Sequence, residues 1–152
     1  MNYKGILFFL GIYTLLVSFL CILNIFYSIY FDFIIGLDSY LITLSISLII
    51  GISFCYVGRN KWKAIALMDQ ILLIVLAFVL IPCLFSIPYL FSIYNLGLLN
   101  SYFESVSGFT TTGFSIMQNI KIIDEPLLLW RSSSQWMGGF LFLLVTIGTI
   151  GS

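Results

Sequence analysis

The sequence has no histidine and few charges: six basic and six acidic side chains, 8% of 152 residues. A soluble domain carries about 25%, so this chain cannot cover its surface with water-seeking groups. Without histidine it loses the commonest proton shuttle and a frequent zinc ligand. The three cysteines, Cys21, Cys55 and Cys83, all fall inside apolar stretches, which argues against a disulfide framework and a zinc site. No cysteine stands beside a base and no two carboxylates pair within an apolar run, so no enzyme is expected. Formal net charge is zero, which gives nothing to attract nucleic acid.

What is present is apolar length. Hydrophobic residues make up 61% of the chain, and uncharged runs cover 5–31, 39–58, 70–103 and 132–152. A helix crosses a bilayer in about 20 residues, and each run is long enough. The first is not a signal peptide: its apolar part exceeds the roughly 7–15 residues of a signal core. No small-residue cleavage site follows it before Phe26, Tyr27, Tyr30 and Phe31. Lys4, Arg59, Lys61 and Lys63 place the N-terminus and the 58–64 loop in the cytoplasm by the positive-inside rule. Helix one then covers about residues 5–30, a loop with Asp32 and Asp38 lies outside, and helix two covers about 39–57. Trp62 and the aromatic residues near 26–31 suit the two water–lipid boundaries.

The third run holds 34 uncharged residues with Pro82 and Pro88 inside it, too many for one span. Proline lacks the amide donor and disfavours helix in the residue before it, so helix three is expected to end near Ile87. The external stretch then begins with Tyr94, Asn95 and Gly97. A helical pattern over about 98–109 follows, which at about 1.5 Å per residue reaches little more than halfway through a core of about 30 Å. Next come Thr110, Thr111, Thr112 and Gly113, suited to extended backbone, although a threonine-rich turn is the plain alternative. Polar residues Gln118, Asn119, Lys121, Asp124 and Glu125 precede Pro126, which fits the first turn of helix four over about 126–151. Helix three would end, and helix four begin, on one side. The segment between them is therefore a candidate pore loop, because non-helical backbone at membrane depth survives only where protein buries it or water lines it.

Two charges lie at depth in this arrangement, Glu104 and Arg131. Intramembrane charges are costly and have partners. The two are expected to interact, or to bond backbone near the loop and brace it; the alternative for Arg131 is snorkelling to the outer headgroups. Gly138, Gly139, Gly148 and Gly151 offer small surfaces on which another helix can pack. Asp69, at the start of helix three, suits a helix N-terminus and takes no transport role.

The string Ser107, Gly108, Phe109, Thr110, Thr111, Thr112, Gly113, preceded by Phe103, Glu104 and Ser105, resembles the first pore loop of the Trk/Ktr/HKT potassium transporter family. The string from Leu129, Trp130 and Arg131 through Gln135, Trp136, Met137, Gly138 and Gly139 is similar to the start of the helix that follows that loop. The resemblance covers about residues 58–152, and the two extra helices ahead of it match the Trk branch. It implies an all-α integral membrane protein in which two N-terminal transmembrane helices, residues 1–57, precede one helix–pore-loop–helix repeat, residues 58–152. Members of the family carry four such repeats around one pathway.

By that resemblance Thr110, Thr111, Thr112, Gly113 and Phe114 supply one of four filter segments, and backbone carbonyls of Thr111, Thr112 and Gly113 hold a potassium ion. Potassium is then the transported ion, and no cofactor is implied. The resemblance further implies a bacterial inner membrane, a homodimer of the complete protein and a cytoplasmic nucleotide-binding regulatory subunit. The family's other three repeats are absent from this chain, and the end at Gly151 and Ser152 carries no basic anchor, so a longer protein, a split transporter or an assembly of several copies is expected. The other reading is a non-transporting membrane fragment or accessory protein whose helices only pack against others.

Overall fold

The structure is a computed structural model that describes residues 2–34, 36–59, 66–94, 96–117 and 123–150. It is helical throughout the described elements: α1 (Tyr3–Tyr30), α2 (Leu37–Gly58), α3 (Leu67–Leu90), α4 (Gly97–Phe109) and α5 (Glu125–Ile150). Among the described residues, α1, α2 and α3 are long and apolar enough to cross a membrane. At about 1.5 Å per residue, the 26 residues of α5 extend about 39 Å, also enough for a crossing. Lys61, Trp62, Lys63, Asn95, Gln118, Asn119 and Lys121, which entered the sequence reading, lie outside the described residues, as do Gly151 and Ser152.

Small residues set the pairing of α1 with α2. The helices run antiparallel, with Ser18 donating to Ser47 Oγ at 2.8 Å and the Cys55 thiol lying 3.8 Å from the Phe8 carbonyl. A Cβ on Gly11 would fall 2.8 Å from the Cys55 amide nitrogen, and one on Gly51 would fall 2.8 Å from Leu15. A Cβ on Gly58 would collide with Lys4 and Phe8. Lipid tails give helices no hydrophobic reason to associate, so close van der Waals contact along such a small-residue seam has to hold the pair together. At the start of α1, the Asn2 side chain caps the Gly5 amide, and the Asn2 amide donates to Asp69 Oδ2 at 3.1 Å, which ties α1 to the first turn of α3.

The described α3 does not stop at Ile87; it continues through Pro82 and Pro88 to Leu90. The two prolines remove the donors that the Phe78 and Leu84 carbonyls would otherwise accept. On the neighbouring carbonyls, side chains from other helices supply donors: Tyr102 Oη bonds the Val79 oxygen at 3.2 Å and Trp130 Nε1 bonds the Phe85 oxygen at 3.0 Å. Packing against α4 and α5 thus carries the helix past a local stop signal, and the Phe91 amide closes it on the Ile87 carbonyl at 3.1 Å.

The core between α3, α4 and α5 is aromatic. Phe85 meets Trp130 with ring centroids 4.8 Å apart and Phe109 at 6.0 Å, while Tyr40 of α2 approaches Trp130 at 5.7 Å. Phe85, Phe109 and Trp130 are fully buried. At the far end of α1, Phe26, Tyr30 and Phe31 are largely exposed, as rings at a water–lipid boundary would be.

Candidate functional site

α4 and α5 start at the same end of the bundle and meet part-way along it. Phe109, the last residue of α4, lies against Gly138, so close that a Cβ on Gly138 would overlap the Phe109 carbonyl. Gly138 stands 13 residues into α5, or about 20 Å from its start. α4 therefore descends about half the length of α5 and stops. Gly139, one residue on, faces Thr111, whose methyl carbon would sit 3.5 Å from an added Cβ. Gly138 and Gly139 thus meet the end of α4 and the loop after it; the surroundings of Gly148 lie outside the described residues.

The loop begins with a turn rather than an extended run. Thr110 caps α4, its amide bonding the Val106 oxygen at 2.8 Å, and the Thr111 amide bonds Gly108 at 2.9 Å. The Ser107 carbonyl then accepts both the Thr112 and the Gly113 amides, at 3.1 and 3.2 Å. Thr111 takes φ +59°, in the left-handed region that β-branched residues avoid. The expectation of extended backbone from Thr110 onward is corrected here: helix-closing hydrogen bonds override the β preference of the first two threonines, and the chain leaves helix and turn only from Thr112 onward. Gly113 has φ +81° with open space where a Cβ would stand, so its requirement for glycine is conformational.

Two buried charges lie behind this loop. Arg131 Nη2 donates to the Gly113 oxygen at 3.0 Å and to the Phe114 oxygen at 3.1 Å. Its side chain is 8% exposed, so it turns into the protein and does not snorkel. Glu104, fully buried, accepts through Oε1 from the Ser115 hydroxyl at 2.7 Å and from the Ile116 amide. Glu104 Oε2 lies 3.8 Å from Arg131 Nη2, an ion pair without a hydrogen bond, and Arg131 Nε has no hydrogen-bond partner among the described residues. The Ser107 hydroxyl adds a 2.6 Å bond to the Phe114 oxygen. The loop is therefore held from one side by Glu104, Ser107 and Arg131.

This geometry sorts the carbonyls of the loop. Those of Gly113 and Phe114 face Arg131, which takes Gly113 out of the open set expected for a cation. Among the described residues, the carbonyls of Thr110, Thr111 and Thr112 accept no hydrogen bond, and these three residues, with Gly113 and Phe114, are exposed. The Thr110 and Thr112 hydroxyls bond each other at 2.8 Å. Where α5 starts, the Asp124 amide donates to Tyr94 Oη at 2.9 Å, and desolvation raises the Tyr94 phenol above its ordinary range. Ser107 entered the sequence analysis only as the first residue of the pore-loop string, with no role of its own, and Ser115 carried no signal, since serine is common in membrane helices and loops; Tyr27 of α1, which also reaches α5, stood out only as a boundary aromatic, and Asn24 not at all.

Long apolar helices joined through a half-length helix that shares its starting end with the next long one define a polytopic α-helical membrane protein. No family profile and no solved structure matches the chain. It is 28% identical over 143 residues to an uncharacterized cation transporter of Methanocaldococcus jannaschii, covering 93% of this chain and 28% of that protein. It is 37% identical over 82 residues to the Trk system potassium uptake protein TrkI of Halomonas elongata, covering 54% of this chain and 17% of the relative. With the TrkH protein of Escherichia coli it shares 26% identity over 109 residues, 71% of this chain and 23% of TrkH. The chain is similar to Trk system potassium uptake proteins, and it spans between 17% and 28% of the length of these relatives. The named relatives are transport proteins rather than enzymes.

Proposed function

We propose that this chain acts in potassium transport across a membrane, as the N-terminal portion of a Trk-type ion-conducting subunit that contributes one of four filter segments. The observation that carries the reading is the run of three exposed carbonyls, Thr110, Thr111 and Thr112, that accept no hydrogen bond among the described residues, at the mid-bundle end of a half-length helix. A dehydrated cation needs oxygens in place of its water shell, and the C-terminal end of α4 adds partial negative charge. The segment Thr110–Phe114 forms one side of the path, the Thr111 and Thr112 carbonyls are ligands to potassium, and Gly113 supplies the turn that lets them face one axis. Glu104 and Arg131 brace the segment from behind.

One segment cannot enclose an ion. The working pathway therefore includes three further segments, from a longer chain, a companion chain or other copies of this one. The names of the relatives support potassium as the ion, and the N-terminus then lies in the cytoplasm of a bacterial inner membrane. A homodimer and a cytoplasmic nucleotide-binding regulatory subunit complete the arrangement by the same likeness.

Rubidium uptake by cells that lack their own potassium uptake systems tests the reading. The chain is expressed alone, as Gly113→Asp, and with companion segments carrying the other three loops. Uptake that the Gly113→Asp change abolishes is expected with the companions. Uptake that never exceeds the empty vector in any combination overturns the reading in favour of a non-transporting membrane fragment.

A further inference from the structure

The first two helices take no part in the transport reading, yet α1 holds the origin of α5. Asn24, 1% exposed, donates Nδ2 to the Pro126 carbonyl at 3.0 Å. One turn further along α1, Tyr27 Oη donates to Glu125 Oε2 at 2.8 Å. Two adjacent residues in the first turn of α5 are therefore held by one face of α1. The Asn24 amide stands in an apolar run, and its Oδ1 is buried without a partner among the described residues. A leucine would fit the lipid-adapted run without that desolvated oxygen, so packing alone does not explain an asparagine here.

Five residues beyond Pro126, Arg131 reaches the Gly113 and Phe114 carbonyls. A helix is stiff over one and a half turns, so a shift or rotation at Glu125 and Pro126 moves Arg131 with it. We infer that Asn24 and Tyr27 are positioning residues for the 110–116 loop: they fix the start of α5, and through it the arginine that orients the loop. This gives the N-terminal helix pair a task in the site it does not touch. The functional consequence rests on the transport reading; the mechanical coupling does not.

Amide hydrogen exchange on the purified chain in lipid nanodiscs reads the coupling without any transport assay. The variants are Asn24→Leu and Tyr27→Phe, with Ser47→Ala, which cuts the Ser18–Ser47 bond between α1 and α2, as the control for general loosening. Tyr27 lies at an exposed bond, so its variant keeps the fold even if Asn24→Leu does not. Exchange over residues 110–117 is expected to quicken about five-fold in Asn24→Leu and Tyr27→Phe, the size of one lost hydrogen bond, and to stay unchanged in Ser47→Ala. Loop exchange equal to wild type in both variants, or an equal rise in Ser47→Ala, overturns the inference. Rubidium and sodium uptake by the same variants, with companion segments present, separates the two readings. A quickened loop with a lowered rubidium preference supports both; a quickened loop with an unaltered preference sinks the functional consequence alone, and a quickened loop with uptake no higher than the empty vector sinks the transport reading and leaves the coupling standing.

Discussion

Glu104 and Arg131 lie 3.8 Å apart, and each spends its hydrogen-bonding capacity on the loop between them and not on the other. The carboxylate takes donors from Ser115 and Ile116; the guanidinium takes the carbonyls of Gly113 and Phe114. The two charges offset each other where both side chains are buried, while their directed bonds grip four consecutive residues of the loop. That division explains why both charges are tolerated at a depth where either alone would be expensive.

Removing the pair should therefore cost less than the sum of breaking it from each side. Arg131→Gln leaves the Glu104 carboxylate buried and uncompensated, and is expected to lower stability by about 3 kcal/mol. Glu104→Gln is expected to cost a similar amount, and the double variant less than the sum, with a coupling of about 1–3 kcal/mol. Thermal unfolding of the four proteins in one detergent measures this. Strict additivity would show that the two side chains act on the loop independently.

Gly138 and Gly139 are neighbours with opposite tolerance. A methyl group at Gly138 would meet the Phe109 backbone, which cannot rotate away, so Gly138→Ala is expected to destabilise by about 1–3 kcal/mol and to displace the end of α4. At Gly139 the nearest atom is a threonine methyl at ordinary contact distance, and Gly139→Ala is expected to change the unfolding midpoint little or to raise it through better helix propensity. Comparing the two midpoints settles the point, and equal loss in both would contradict the half-length packing of α4 on α5.

Much of this arrangement was legible in the order of residues. The first two uncharged runs became α1 and α2 to within about two residues at each end, α3 closes three residues beyond the expected Ile87, and the short pattern after Gly97 became α4, because bilayer-length apolar runs leave the backbone few choices. The site was legible where it was charged: a glutamate and an arginine inside apolar runs demanded partners. What failed were two local rules. Pro88 did not end α3, because donors from Tyr102 and Trp130 and the packing around them outweigh one missing amide. Thr110 and Thr111 did not extend, because the carbonyls at the end of α4 needed donors and the next amides supplied them. The bonds that Ser107 and Ser115 make were not legible, since only the folded loop shows what a serine hydroxyl reaches.

Thr111 holds a left-handed conformation that suits glycine. Such a conformation costs a side chain about 1–2 kcal/mol, and glycine gives back about 0.5–1 kcal/mol through its greater freedom when unfolded. Thr111→Gly is expected to raise stability slightly, by less than about 1 kcal/mol. The corresponding change in the other direction, Gly113→Ala, introduces the same strain with no compensating contact and is expected to cost about 1 kcal/mol. Unfolding midpoints check both; a clear loss in Thr111→Gly would mean that the methyl over Gly139 outweighs the backbone strain.

Trp130 joins the two halves of the argument about α3. Its indole nitrogen bonds the Phe85 carbonyl at 3.0 Å inside a cluster where both side chains are fully buried, and that bond lies three residues before Pro88. Trp130→Phe keeps an aromatic ring but removes the donor and part of the ring volume. The carbonyl then loses its side-chain donor and a small void opens beside Tyr40 and Phe85. Loss of the hydrogen bond and the void together are expected to cost about 2–3 kcal/mol. The local effect is more telling: with the donor gone, the last turn of α3 keeps the closing bonds of Phe91 and Ser92 but loses its tie to α5, so exchange at residues 87–91 should rise more than exchange at residues 70–80. A uniform rise along α3 would instead mean that Trp130 matters for core volume alone and that the proline-containing turn needs no donor from α5.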